Sequence, residues 1–140
     1  MLTRSLNILL VDDDDTTNFL HTLTLQASGV PHTLNVVETV PDALAIFQDQ
    51  TIPATQLPHL VFLDLNLPGH TGFDFLDEYR KLAKDTATKP VIVVLSASVN
   101  HEDEKKALQA PEVAAFRSKP LSVAMVHQII STYFPDLGTA

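Results

Sequence analysis

LVFLDLNLPG, residues 60–69, opens with an unbroken apolar run that stops on a carboxylate and then turns. Leu60 to Asp64 reads as a strand buried on both faces, because a short apolar segment bounded by punctuation suits a sheet covered on each side. Pro68-Gly69 enforces a turn directly afterwards. An aspartate that closes such a strand stands at the carboxyl edge of the sheet, where open α/β folds place their ligands. Asp64 is therefore the candidate reacting group, although aspartate is also common as a plain turn residue.

Outward from this strand, the chain alternates strand and helix signals. Asn7 to Val11 is a short strand. Asp15-Thr16-Thr17 then supplies capping chemistry, and Phe19, Leu20, Leu23 and Ala27 recur at helical spacing until Ser28-Gly29. Leu34 to Glu38 reads as a second strand. Pro41 opens a helix with Ala43, Leu44 and Phe47 turned inward, and a polar loop from Gln50 to His59 leads back to the central strand. Phe73, Leu76, Tyr79 and Leu82-Ala83 mark the next helix. Val91 to Leu95 is a β-branched strand, followed by Ser96-Ala97-Ser98. Asn100 or His101 opens a charged helix that Pro111 breaks. Val113 to Phe116 is a fifth strand, and Val123, Val126, Ile129, Ile130 and Tyr133 line a final helix. The (βα)5 pattern predicts one parallel sheet with helices on both faces.

That arrangement gathers Asp12, Asp13, Asp64, Ser96 and Lys119 at one edge of the sheet. Clustered carboxylates repel one another unless a cation joins them. Oxygen donors without histidine or cysteine suit Mg2+, which leaves room for phosphate oxygens. A lysine and a hydroxyl beside the cluster suit a phosphoryl group. The chemistry indicated is Mg2+-assisted phosphoryl transfer onto a carboxylate.

Composition narrows the alternatives. The 140 residues suit one domain, and the absence of cysteine excludes disulfides and thiolate metal sites. The net charge of −8 argues against nucleic acid as a partner. No apolar stretch is long enough for a membrane span, so no membrane partner is expected and a cytoplasmic location is the default. The histidines at 21, 32, 59, 70, 101 and 127 lack metal-binding spacing and are expected on the surface or in loops.

The motifs ILLVDDDD, VFLDLNLPGHTG, VVLSAS and FRSKP, in this order, resemble the receiver domain of two-component response regulators. The resemblance runs from about Asn7 to Phe134 and implies a flavodoxin-like fold with strand order 2-1-3-4-5. It implies that residues 1–140 form a single receiver domain without an output domain. Asp64 would be the phosphoacceptor, and Asp12 and Asp13 the acidic pair. Asp13 would ligate Mg2+ beside Asp64 and the backbone carbonyl of Asn66. Ser96 and Lys119 would each bind a phosphoryl oxygen, Phe116 would be the switch aromatic, and Lys119-Pro120 would be a cis bond. Asn66 and Ser98 would modulate dephosphorylation. The implied donor is a sensor histidine kinase or a histidine phosphotransfer protein. Output would run through the face of the fourth helix, fifth strand and fifth helix, or onward by relay, with no turnover enzyme activity.

Two departures accompany this resemblance: a long loop from Gln50 to His59, and Ala110-Pro111-Glu112-Val113 where a glycine turn is more usual. Two alternatives also remain. Asp12-x-Asp14-x-Thr16 fits the nucleophile motif of haloacid-dehalogenase-type phosphatases, although VFLDLNLPG is then unexplained. A receiver-like scaffold that acts without phosphorylation is the other.

Overall fold

The protein is described here by a computed structural model covering residues 5–49, 51–67, 69–82, 89–97 and 100–136. Pro68, Ala83 and Ser98 lie outside the described residues. Five strands, β1 (Leu6–Val11), β2 (His32–Val37), β3 (Leu60–Asp64), β4 (Val91–Ser96) and β5 (Val113–Ser118), form one sheet. Five helices alternate with them: α1 (Asp15–Ala27), α2 (Val40–Gln48), α3 (Gly72–Leu82), α4 (His101–Gln109) and α5 (Val123–Tyr133). The spatial order is β2-β1-β3-β4-β5 with every pair parallel, the flavodoxin-like arrangement expected from the sequence.

β3 owes its place to its composition. All five of its residues are buried, because helices cover both faces and a polar side chain there would lose its water. Alternate residues of the strands serve two cores. Leu9, Val11, Val61, Leu63, Ile92 and Val94 face α2, α3 and α4. Ile8, Leu10, Leu60, Phe62, Val93 and Leu95 face α1 and α5. The edge strand β2 begins two residues earlier than its apolar run suggests, since pairing with β1 starts at Leu6 opposite His32. β5 likewise extends to Ser118, paired with Ser96 of β4.

The turn after Asp64 is a small antiparallel ribbon, Asn66–Leu67 against His70–Thr71. Gly69 stands in its bend at φ +73°, a conformation that side chains disfavour. The loop before β3 contains a short 3-10 turn, Ala54–Gln56. It is closed onto β1 by His59, whose Nδ1 accepts the Asn7 N–H at 2.9 Å. In the turn ahead of β5, Glu112 takes a bidentate pair of hydrogen bonds from Arg80 of α3, at 2.5 and 3.0 Å.

α1 departs from the sequence reading. Phe19, Leu20 and Leu23 point to solvent, with Phe19 63% exposed. The buried stripe is Asn18, His21 and Leu25. His21 is thus no surface residue; it is only 2% exposed. The helix also begins one residue earlier than its first polar cluster implied. Asp14, not Asp15, is the N-cap, and its carboxylate accepts from the Thr17 N–H at 2.8 Å and the Thr17 hydroxyl at 2.5 Å. The remaining caps follow the same chemistry, with Thr39, Asn100 and Ser122 opening α2, α4 and α5.

Candidate functional site

Four strand ends converge on one acidic hollow. Asp12 follows β1, and its N–H continues the ladder to Val37 C=O at 3.0 Å. Asp64 is the last residue of β3, and Ser96 the last of β4. Lys119 follows β5, and its N–H is held by Ser96 C=O at 2.8 Å. Ladder hydrogen bonds thus fix the backbone on which the charged groups ride. The Lys119–Pro120 bond is cis, as expected.

Carboxylate oxygens of Asp12, Asp13 and Asp64 lie within 4.8 Å of one another. Asp12 and Asp64 are buried, while Asp13 is open to solvent. Lys119 Nζ lies 2.5 Å from Asp12 Oδ2 and 3.4 Å from Asp64 Oδ1. Burial pushes the Asp64 carboxyl above the ordinary carboxylate range, and the nearby Asp12 adds to the shift. The Lys119 ammonium and a hydrogen bond from the Asn66 backbone oppose it. One ammonium among three carboxylates leaves net negative charge in a partly dry pocket, an arrangement that favours a cation. The donor set consists of hard oxygens alone, so Mg2+ or Mn2+ fits it better than a thiophilic metal.

Gly72 sets how closely α3 can approach the end of β3. A Cβ there would come within 2.7 Å of the Asp64 carbonyl oxygen, so α3 can begin directly beneath Asp64 only with glycine at its first position. Ser96 is 2% exposed at the rim of the same edge. Phe116 is half-buried and packs against the core on the α3 and α4 side.

Asp14, needed by the phosphatase alternative, is committed to capping α1 through Thr17. Those hydrogen bonds hold its carboxyl below the ordinary range.

Two contributors escaped the sequence reading. Asn18 Nδ2 donates to the Asp12 carbonyl at 2.8 Å. His21 Nε2 accepts the Leu121 N–H at 3.2 Å. Their spacing with Leu25, at 18, 21 and 25, is that of one helical face, but two of its three members are polar and give no apolar signal. The louder apolar repeat of Phe19, Leu20 and Leu23 concealed it. Asn18 Oδ1 meets no hydrogen-bond donor among the described residues.

Comparison with known proteins agrees with this geometry. Residues 8–131 match the sequence profile of the response regulator receiver domain. Response regulator Rcp1 of Synechocystis is 35% identical over 97 residues, spanning 69% of this chain and 65% of Rcp1. The solved Mn2+-bound form of Rcp1 superposes with a TM-score of 0.73 at 28% identity, covering 90% of this chain and 92% of that one. A two-component response regulator from Cytophaga hutchinsonii gives a TM-score of 0.85 at 24% identity, covering 94% and 99% of the two chains. The phosphorylated cyanobacterial phytochrome response regulator RcpA gives 0.74 at 27% identity, covering 95% and 96%.

Proposed function

This chain belongs to the response regulator receiver domain family, and from that premise we propose that it accepts a phosphoryl group on Asp64. The observation that carries the proposal is the meeting of a buried Asp64 carboxylate with Lys119 and the Asp12/Asp13 pair at the end of the central strand. The donor is a phosphohistidine, on a sensor histidine kinase or a histidine phosphotransfer protein. An Asp64 oxygen forms the new O–P bond as the donor P–N bond breaks, and the P–N electron pair leaves with the imidazole. Asp64 must be ionised to attack, and Lys119 favours that form against burial.

Asp12, Asp13, Asp64 and the Asn66 carbonyl would hold Mg2+, whose charge would offset that gathering on the transferred phosphoryl oxygens. Lys119 and Ser96 each take one of those oxygens. The protein catalyses its own phosphorylation and dephosphorylation and is not a turnover enzyme, and we place it in the cytoplasm. The outward apolar side of α1 flanks the acidic hollow, since Leu20 lines a depression shared with Ala97 and Lys119. We assign this side to the protein donor.

Phosphorylation adds about −1.5 to −2 charges and three acceptor oxygens at Asp64. Ser96 moves to bond one of them, and Phe116 turns further inward, shifting the face of α4, β5 and α5 between two states. The slight anchoring of α4 supports this choice of face: Ala107 is its buried residue, with Lys106 resting 4.2 Å from the Phe73 ring centroid.

Acetyl phosphate with Mg2+ provides the test. Intact protein should gain the mass of one phosphoryl group, labile as an acyl phosphate, and Asp64→Ala should not. Equal labelling of the variant would remove Asp64 as acceptor and with it this reading. In the phosphorylated sample, amide shifts reaching α4, β5 and α5 identify a switch. Shifts confined to the loops around Asp12, Asp64 and Ser96 identify a relay instead.

A further inference from the structure

α1 contributes a single large apolar side chain, Leu25, to the core beneath it. The rest of its buried stripe is polar and reaches the two segments that carry the charged groups. Asn18 bonds the Asp12 carbonyl. One turn later, His21 bonds Leu121, two residues after Lys119 and 100 residues away in sequence.

The second of these contacts has a specific geometric consequence. Lys119 is held on one side by its own N–H, bonded to Ser96 C=O at 2.8 Å. Pro120 has no N–H, so the first donor that can fix the other side is Leu121. That N–H is buried and goes to His21 Nε2, while the Leu121 side chain is buried in the α1 and α5 core. Thr24 Oγ1, on the next turn of α1, lies 3.4 Å from the Leu121 carbonyl. An aliphatic residue at position 21 would leave the Leu121 N–H without its acceptor. Nε2 accepts only when unprotonated, which places the ring proton on Nδ1. Burial, helped by the Lys119 ammonium and opposed by Asp12, holds the His21 pKa below its ordinary value and so favours that neutral form.

We propose that His21 is a positioning residue of the phosphoryl-transfer site: by accepting the Leu121 N–H it anchors the Lys119–Leu121 segment and keeps the Lys119 ammonium between Asp12 and Asp64. The chemical consequence rests on Asp64 being the phosphoacceptor. The anchoring itself does not.

The experiment uses the full chain, its His21→Leu variant and its His21→Gln variant. Glutamine can present an amide oxygen near the place of Nε2 and restore the acceptor. In the wild type, a 15N–15N coupling across the hydrogen bond should join Leu121 N to His21 Nε2. In His21→Leu, the Lys119 Nζ resonance should move. Its maximal labelling rate by acetyl phosphate should fall by about tenfold to a hundredfold, the scale of a small misplacement near reacting groups. Mg2+ affinity, set by Asp12, Asp13 and Asp64, should change far less. His21→Gln should recover most of the rate and the wild-type Lys119 resonance.

Wild-type behaviour of a folded His21→Leu would overturn the proposal, as would a His21→Gln no better than leucine. If His21→Leu fails to fold, the coupling and the glutamine variant decide. Failure of the wild type to be labelled would instead overturn the acceptor reading, and the Lys119 resonance would still judge the anchor.

Discussion

α1 and α3 lie on opposite faces of the same sheet and use opposite means of attachment. α3 buries Phe75, Leu76 and Tyr79. Phe75 and Tyr79 stack at 5.9 Å, and Phe47 of α2 lies 6.1 and 5.2 Å from them. Of the repeat read in its sequence, Leu76 and Tyr79 are buried, Phe73 is half-buried and Leu82 is exposed, so its buried face is apolar throughout and only shifted to include Phe75. α1 turns its apolar repeat to solvent and buries Asn18, His21 and Leu25. The contrast shows that an apolar stripe predicts an inward face only where area burial sets the orientation. In α1, hydrogen bonds to Asp12 and Leu121 compete with it, and leaving those buried backbone groups unpaired would cost about 1–3 kcal/mol each. That is comparable to the gain from burying one large side chain, about 1.5–3 kcal/mol.

The sharpest way to break this contrast is to truncate an aromatic on each helix. Phe75→Ala should destabilise the protein by about 3–5 kcal/mol, through lost transfer energy and the cavity left behind, as read from denaturant midpoints. A loss below about 1 kcal/mol would show that α3 is not held by its aromatic cluster.

A smaller effect should come from the link between α3 and the turn before β5. The hydrogen bond from Arg80 holds the Glu112 carboxyl below its ordinary value. A carboxyl depressed in the folded state contributes stability above its unfolded pKa, and that stability is lost as pH falls through the folded value. Glu112→Gln should therefore be less stable than wild type at pH 7, with the two acid-unfolding curves converging at low pH. Since Arg80 is half exposed, added salt should narrow the difference. A gap that persisted in acid would assign the effect to packing.

The smallest change in stability should follow Phe19→Ser, on the outward side of α1. It should lie within about 0.5 kcal/mol of wild type, with labelling by acetyl phosphate unaltered. Transfer from a phosphohistidine protein should slow, because the assigned seat of the donor is lost. A large loss of stability would mean that α1 packs as α3 does, and unchanged protein-to-protein transfer would remove the donor from this side.

Much of the molecule could be read without coordinates. The Leu60–Asp64 strand is reproduced to the residue, because burial on both faces demands an unbroken apolar run. The gathering of Asp12, Asp13, Asp64, Ser96 and Lys119 followed from alternating strands and helices, since parallel pairing puts every strand's carboxyl end on one edge, while the strand order was implied by the resemblance to receiver domains. Local chemistry also marked Pro41 in the first turn of α2 and Asn100 ahead of α4, although at α1 four consecutive aspartates offered competing choices. Asp14 is the cap, and it accepts both the N–H and the hydroxyl of Thr17.

Tertiary structure alone decided the orientation of α1, the burial of His21 and the joining of Leu121 to it across 100 residues. These depend on where one backbone N–H ends up without a partner after the sheet has closed, and nothing in residues 15–27 records that. The paired carboxylates and their lysine were legible because their position follows from strand direction. The histidine that anchors the lysine's segment was not, because its acceptor role arises from a contact between elements that sequence periodicity cannot align.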